Sequence, residues 1–144
     1  MKKNNGLSFF IPKKEMGLDA ILINTGISAG FPSPAGDYKQ ERISLDKELI
    51  KNQEATFFAR VSGESMVNAG LEDGDLIIID RSIEPSNNKI AVCYIDGEFT
   101  VKRLRVKKDK IWLQPENSKY QPIEIKDDNE LIIWGIVTNV VKKL

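Results

Sequence analysis

Asp96-Gly97 stands between two apolar runs, Ile90–Ile95 and Glu98–Val106, with no other residue separating them. Two residues of this kind between β-forming stretches make a tight hairpin, the strongest short-range signal in the chain. The neighbouring segments agree with it. Thr56–Val61 and Leu76–Asp80 are apolar runs bounded by turn residues, with Asp73-Gly74-Asp75 before the second. Lys108-Asp109-Lys110 leads from the hairpin to Ile111–Gln114, and Gln121–Ile125 and Leu131–Val141 supply the last strands. One helical turn is expected over Met66–Gly70. A short helix is expected over Ser44–Ile50, with Ser44 as N-cap and Leu45 and Leu49 on one face. The expected class is mostly β: a single antiparallel β domain with short helices and an extended N-terminal arm.

Residues 1–40 have a different texture and read as that arm and its linker, leaving 41–144 as the β-rich domain. Five of the ten glycines and three of the six prolines fall in this stretch, around short apolar pieces at Leu7–Ile11 and Ala20–Ile23. No long helix is expected there. Pro32 and Pro34 keep the backbone after Gly30 extended. Extended backbone is the form in which a protease cleft takes its substrate, as an added strand.

The 144 residues carry 21 basic and 21 acidic side chains, so no strong basic field points to nucleic acid. Lys2, Lys3, Lys13 and Lys14 against Glu15 and Asp19 give residues 1–29 a net +2, and the remainder −2. That attraction would be weak at physiological salt. Cys93 is the one cysteine and the chain has no histidine. An internal disulfide is therefore impossible, and a zinc site or other metal centre is not expected. No apolar run reaches the roughly 20 residues of a membrane helix, and Leu7–Pro12 is too short for a signal-peptide core. A cytoplasmic location is expected, with no cofactor.

Without histidine, a serine hydrolase built from this chain needs another base, and lysine is the known substitute. Ser65 lies in Val61-Ser62-Gly63-Glu64-Ser65-Met66, and Lys102 follows 37 residues later in Phe99-Thr100-Val101-Lys102-Arg103. Strand alternation puts Thr100, Lys102 and Leu104 on one face and Phe99, Val101 and Arg103 on the other. A guanidinium does not deprotonate in proteins, so Arg103 cannot be the base. Lysine at its ordinary pKa is neutral to only about one part in 10³ at pH 7, but burial can lower that pKa by several units. Gly63 permits a tight approach of backbone to substrate, and the N–H groups of Glu64 and Ser65 are the expected oxyanion donors. A serine in a polar turn or a lysine in a strand is ordinary taken alone. The small-residue step Ala29-Gly30, 35 residues before the serine, adds a bond for the pair to cut.

Ser62-Gly63-Glu64-Ser65-Met66, Asp73-Gly74-Asp75-Leu76 and Asp96–Lys102 together resemble the LexA/UmuD self-cleaving serine peptidases. The likeness continues through Asn117–Ile123 and Trp134-Gly135-Ile136-Val137, covering residues of about 29 to 141. It implies a LexA/signal-peptidase-like β fold, Ser65 as nucleophile, Lys102 as general base, and cleavage between Ala29 and Gly30. About 29 residues before that bond are too few for the helix-turn-helix domain of LexA, so the resemblance is to the short-armed members. Those are cleavable subunits of an error-prone translesion polymerase in the bacterial SOS response to DNA damage. The implied partners are a second copy of the chain, the RecA–single-stranded DNA filament and a Y-family, UmuC-like polymerase subunit. Two other readings share the fold: a phage or mobile-element regulator of the SOS response, and a binding module that does not cleave.

Overall fold

The computed structural model describes residues 7–12, 19–23 and 40–144. Residues 7–12 and 52–144 make one compact unit; 19–23 and 40–51 belong to a second. In the second, β2 (Asp19–Ile23) and β3 (Gln40–Ser44) pair antiparallel, Asp19 opposite Ser44, and α1 (Leu45–Leu49) follows. The expected helix is present with Leu45 and Leu49 on one face, but that face is not buried. Leu45 is exposed, and Ser44 occupies the cap position without a capping bond from its hydroxyl. A helix of little more than one turn is too short to present a stripe.

The first unit is an eight-stranded antiparallel sheet. Its strands are β1 (Leu7–Phe10), β4 (Thr56–Val61), β5 (Leu76–Asp80), β6 (Ile90–Ile95), β7 (Glu98–Lys107), β8 (Lys110–Gln114), β9 (Ile123–Glu124) and β10 (Leu131–Val141). Their order across the sheet is β1-β4-β5-β10-β6-β7-β8-β9. The apolar piece at Leu7–Ile11 therefore contains a true strand of the sheet, docked along β4. The Asp96-Gly97 turn joins β6 to β7 with φ of 47° and 87° at its two residues, the left-handed pair a tight hairpin requires. Lys108 and Asp109 do the same between β7 and β8, with φ of 49° and 64°. The strand expected over Gln121–Ile125 shrinks to two residues, because Pro122 has no N–H for the ladder.

Alternation divides the core between the two faces of this sheet. Leu7, Ala59, Val61, Ile77, Ile79, Val92 and Val101 pack on one side, with Met66 and Leu71 from the connection after β4. Ala91, Cys93, Leu104, Leu113 and Ile136 pack on the other. Phe9 of β1 meets Phe99 of β7 with ring centroids 5.0 Å apart, although four strands intervene in the sheet order. The sheet is therefore strongly curled, and the curl carries β7 toward the end of β4.

Gly135 sits where β10 shifts register against β6. A Cβ there would stand 2.5 Å from Ile79 Cγ2 and 3.2 Å from Arg81 Cγ. Ile79 is wholly buried and cannot yield, and Arg81 is held by its Nε–H bond to the Trp134 carbonyl (2.8 Å). Gly135→Ala should destabilise the fold by about 1–3 kcal/mol, lowering the melting temperature by roughly 4–15 °C. A thermal unfolding scan checks this.

Candidate active site

Ser65 is placed by the turn that ends β4. Gly63 adopts φ +93°, and its N–H donates to Asp73 Oδ1 (2.9 Å). The Asp73–Asp75 loop grips the end of β4 a second time, with Val61 N–H donating to the Asp75 carbonyl and Gly74 N–H to the Val61 carbonyl. Met66 is buried in the core and starts a 3-10 turn, Val67–Ala69, closed by Gly70 in the left-handed region. A third restraint comes from a distant segment. Asn117 Nδ2–H donates to the Glu64 carbonyl (2.8 Å), and Asn68 N–H to the Glu116 carbonyl (2.8 Å). Glu116 is itself held by Arg103 at 2.5 Å. The turn that carries Ser65 is thus pinned from both sides. Among the described residues, no acceptor takes the N–H of Glu64 or Ser65.

Lys102 lies opposite Ala91 in the β6–β7 ladder, and Thr100 opposite Cys93. All four share a face, so the amine rises over small, buried side chains; Lys102 itself is only 8% exposed. Its Nζ lies 3.1 Å from Ser65 Oγ, 2.6 Å from Thr100 Oγ1 and 3.1 Å from the Val101 carbonyl. No carboxylate among the described residues contacts it. Burial holds its amine below the usual lysine range, with Cys93 opposing. Burial pushes the Cys93 thiol up to about 12, Lys102 pulling the other way. The thiol therefore keeps its proton at neutral pH and supplies no counter-anion. The three contacts suit a neutral amine: two N–H groups for Val101 and Thr100, and a lone pair for the Ser65 hydroxyl proton.

Two depressions flank the pair. A cleft of about 510 Å³ runs between Ser62–Ser65 on one wall and Phe99, Thr100 and Lys102 on the other, with Tyr120 and Ile123 at its rim. A much smaller pocket of about 40 Å³ opens beside Ser65, walled by Leu7, Val61, Met66 and Val101. It has room for a small side chain and none for a large one.

Residues 21–138 match the family Peptidase S24-like. The chain belongs to the S24-like peptidases. Among its relatives in that family, protein SamA of Salmonella typhimurium is 44% identical over 124 residues, 86% of each chain. Protein MucA of Salmonella typhimurium is 43% identical over 114 residues, 78% of this chain and 77% of the relative. LexA repressor 1 of Geobacter sulfurreducens is 36% identical over 119 residues, 82% of this chain and 58% of the repressor. The mostly antiparallel β architecture of this S24-like chain agrees with the fold expected from its sequence.

Of the residues singled out in the sequence, Ser65 and Lys102 meet, and Glu64 sits next to them. Ala29 and Gly30 lie outside the described residues. Among the described residues, no helix is long and apolar enough to cross a membrane. Three site residues were not singled out from the sequence: Thr100, Asn117 and Leu7. For Thr100 the signal was present, since alternation already set it on the face of Lys102. Removing its hydroxyl with Thr100→Val takes away one hydrogen bond to the nitrogen, worth about 1.5–3 kcal/mol once that nitrogen has become an ammonium by taking a proton. If Lys102 is the working base, a rate roughly 10–100-fold lower is expected in a timed assay of peptide-bond cleavage.

Proposed function

We propose that this S24-like peptidase cuts its own chain between Ala29 and Gly30, with Ser65 as nucleophile and Lys102 as general base. The observation that carries the proposal is the 3.1 Å contact of the buried Lys102 Nζ with Ser65 Oγ. The neutral amine takes the hydroxyl proton as Oγ attacks the carbonyl carbon of residue 29. The resulting oxyanion is held by the N–H groups of Glu64 and Ser65. The lysine ammonium then gives its proton to the departing Gly30 nitrogen, leaving an ester on Ser65. Water, deprotonated by the same amine, hydrolyses that ester and restores the serine. The 40 Å³ pocket suits the methyl group of Ala29.

The cellular setting comes from the family resemblance. Cutting belongs to the bacterial SOS response and is stimulated by the RecA–single-stranded DNA filament in the cytoplasm. The shortened chain, as a homodimer, then serves a Y-family, UmuC-like polymerase as its accessory subunit in translesion synthesis. The relationship to SamA, MucA and LexA repressor 1 supports the family side of this reading.

Incubating the purified chain with and without RecA filament, and reading product masses, tests it. The product should begin at Gly30. Gly30→Glu should give a folded chain that stays whole, because a side chain at that position keeps the backbone out of the cleft. A product beginning elsewhere overturns the assigned bond.

A further inference from the structure

Asn117 is fixed in one orientation by its own partners. Its Oδ1 accepts the Lys119 N–H (3.0 Å), which leaves Nδ2 as the atom facing the Glu64 carbonyl at 2.8 Å. Its backbone carbonyl closes the same turn by accepting the Tyr120 N–H (3.1 Å). The residue before it is held as firmly. Glu116 takes Arg103 Nε–H on its carboxylate at 2.5 Å and Asn68 N–H on its carbonyl at 2.8 Å. Arg103 also donates to the Asn88 carbonyl (2.6 Å), and it directly follows Lys102 in β7. Glu116-Asn117 therefore ties the strand of Lys102 to both flanks of Ser65, Glu64 ahead of it and Asn68 behind.

The Glu64 carbonyl is one end of a peptide group whose other end is the Ser65 N–H. In a trans peptide these two bonds point in opposite directions. Glu64 and Ser65 line the 510 Å³ cleft, and Asn117 stands outside its lining. We propose that Asn117 is a positioning residue: by holding the Glu64 carbonyl behind the turn, it aims the Ser65 N–H into the cleft as an oxyanion donor. The inference rests on the proposed reading of Ser65 as nucleophile and deepens it. Val67 N–H also reaches this carbonyl, but at 3.3 Å and from within the turn itself, so it moves with the peptide it would restrain. Asn117 comes from 53 residues away and is anchored through Glu116 to β7, which gives the peptide a fixed frame. A donor aimed beforehand needs no rearrangement when charge develops on the oxygen, and that is the source of its effect.

Asn117→Asp and Asn117→Ala separate aiming from support of the 117–120 turn. Aspartate keeps the size and the acceptor for Lys119 N–H, but it has no donor for the Glu64 carbonyl and sets a carboxylate oxygen against it. Alanine loses both contacts. Self-cleavage timed across pH should slow by about tenfold or more in the alanine variant and at least as far in the aspartate variant. The pH midpoint of the rate should stay where it is in both, because Lys102 keeps its surroundings. The residual dipolar coupling of the Ser65 N–H, read by NMR in the full-length chain, should change in both variants while those of β5 and β10 hold. A parental rate in either variant overturns the proposal; in the aspartate variant alone, it assigns Asn117 to support of the turn. An unchanged Ser65 coupling overturns it too, as does a pH midpoint that moves with the rate, which assigns the loss to the base. A parent chain that never cuts, but whose Ser65 N–H turns when Asn117 is replaced, refutes the self-cleavage reading and leaves the aiming of the peptide standing.

Discussion

Lys102→Arg should leave the chain whole under conditions in which the parent chain is cut to completion. Arginine keeps the positive charge and much of the length of lysine, and its guanidinium stays protonated at any pH a protein tolerates. It can donate to Thr100 Oγ1 and the Val101 carbonyl as Lys102 does, but it offers Ser65 no lone pair. Ser65→Ala should be equally inert, since in the proposed mechanism serine and lysine act as one unit and either loss removes the whole. The expected fall in rate is at least about 10³-fold for each. Lys102→Met serves as the companion variant and should melt higher than the parent at neutral pH. The sign follows from the lowered pKa of Lys102. Between that value and the unfolded value of about 10.4, the unfolded chain binds the extra proton, so stability rises with pH. Below that window the folded state carries a buried charge without a carboxylate partner, and methionine removes it. Loss of cleavage with a raised melting temperature assigns Lys102 to chemistry. Measurable cutting by the arginine variant would refute the lysine base.

The rate of self-cleavage should rise with pH from the neutral range and level off at a lower pH than a lysine in water would give. In the proposed mechanism only the neutral amine takes the Ser65 proton, so the rate gains about tenfold per pH unit until Lys102 has titrated. Because burial has brought that titration below the ordinary lysine range, the plateau arrives earlier than for a lysine in water. Cys93, pushed up to about 12, remains a thiol across the range and adds no second limb. RecA filament should stimulate most at pH 7 and least at the pH where Lys102 has already titrated. A rate independent of pH between 6 and 9 would remove the lysine from the rate-determining step. Stimulation by the filament that stays constant across the range would mean that it works by some route other than the base.

Most strands are legible in the sequence because their causes are local. Asp96-Gly97 tolerates the left-handed backbone, and the apolar runs on either side of it supply two strands. The chemistry is narrowed just as directly: with no histidine, a serine nucleophile has lysine to turn to, and Arg103 is ruled out by its own acid–base chemistry. The sequence also sets Thr100 beside Lys102, two residues apart on one face. What it does not contain is distance. Ser65 and Lys102 come within 3.1 Å because a curled sheet carries β7 to the end of β4, past three intervening strands. Lys102 is a weakened base because Ala91 and Cys93 lie opposite β7 on its face, which depends on the β6–β7 register. Asn117 reaches the Glu64 carbonyl across 53 residues, and Leu7 walls the pocket from the far end of the chain. Strand propensity and turn chemistry act over a few residues and are written in the order of the chain; burial and encounter are set by how the sheet closes, and only the tertiary structure decides them.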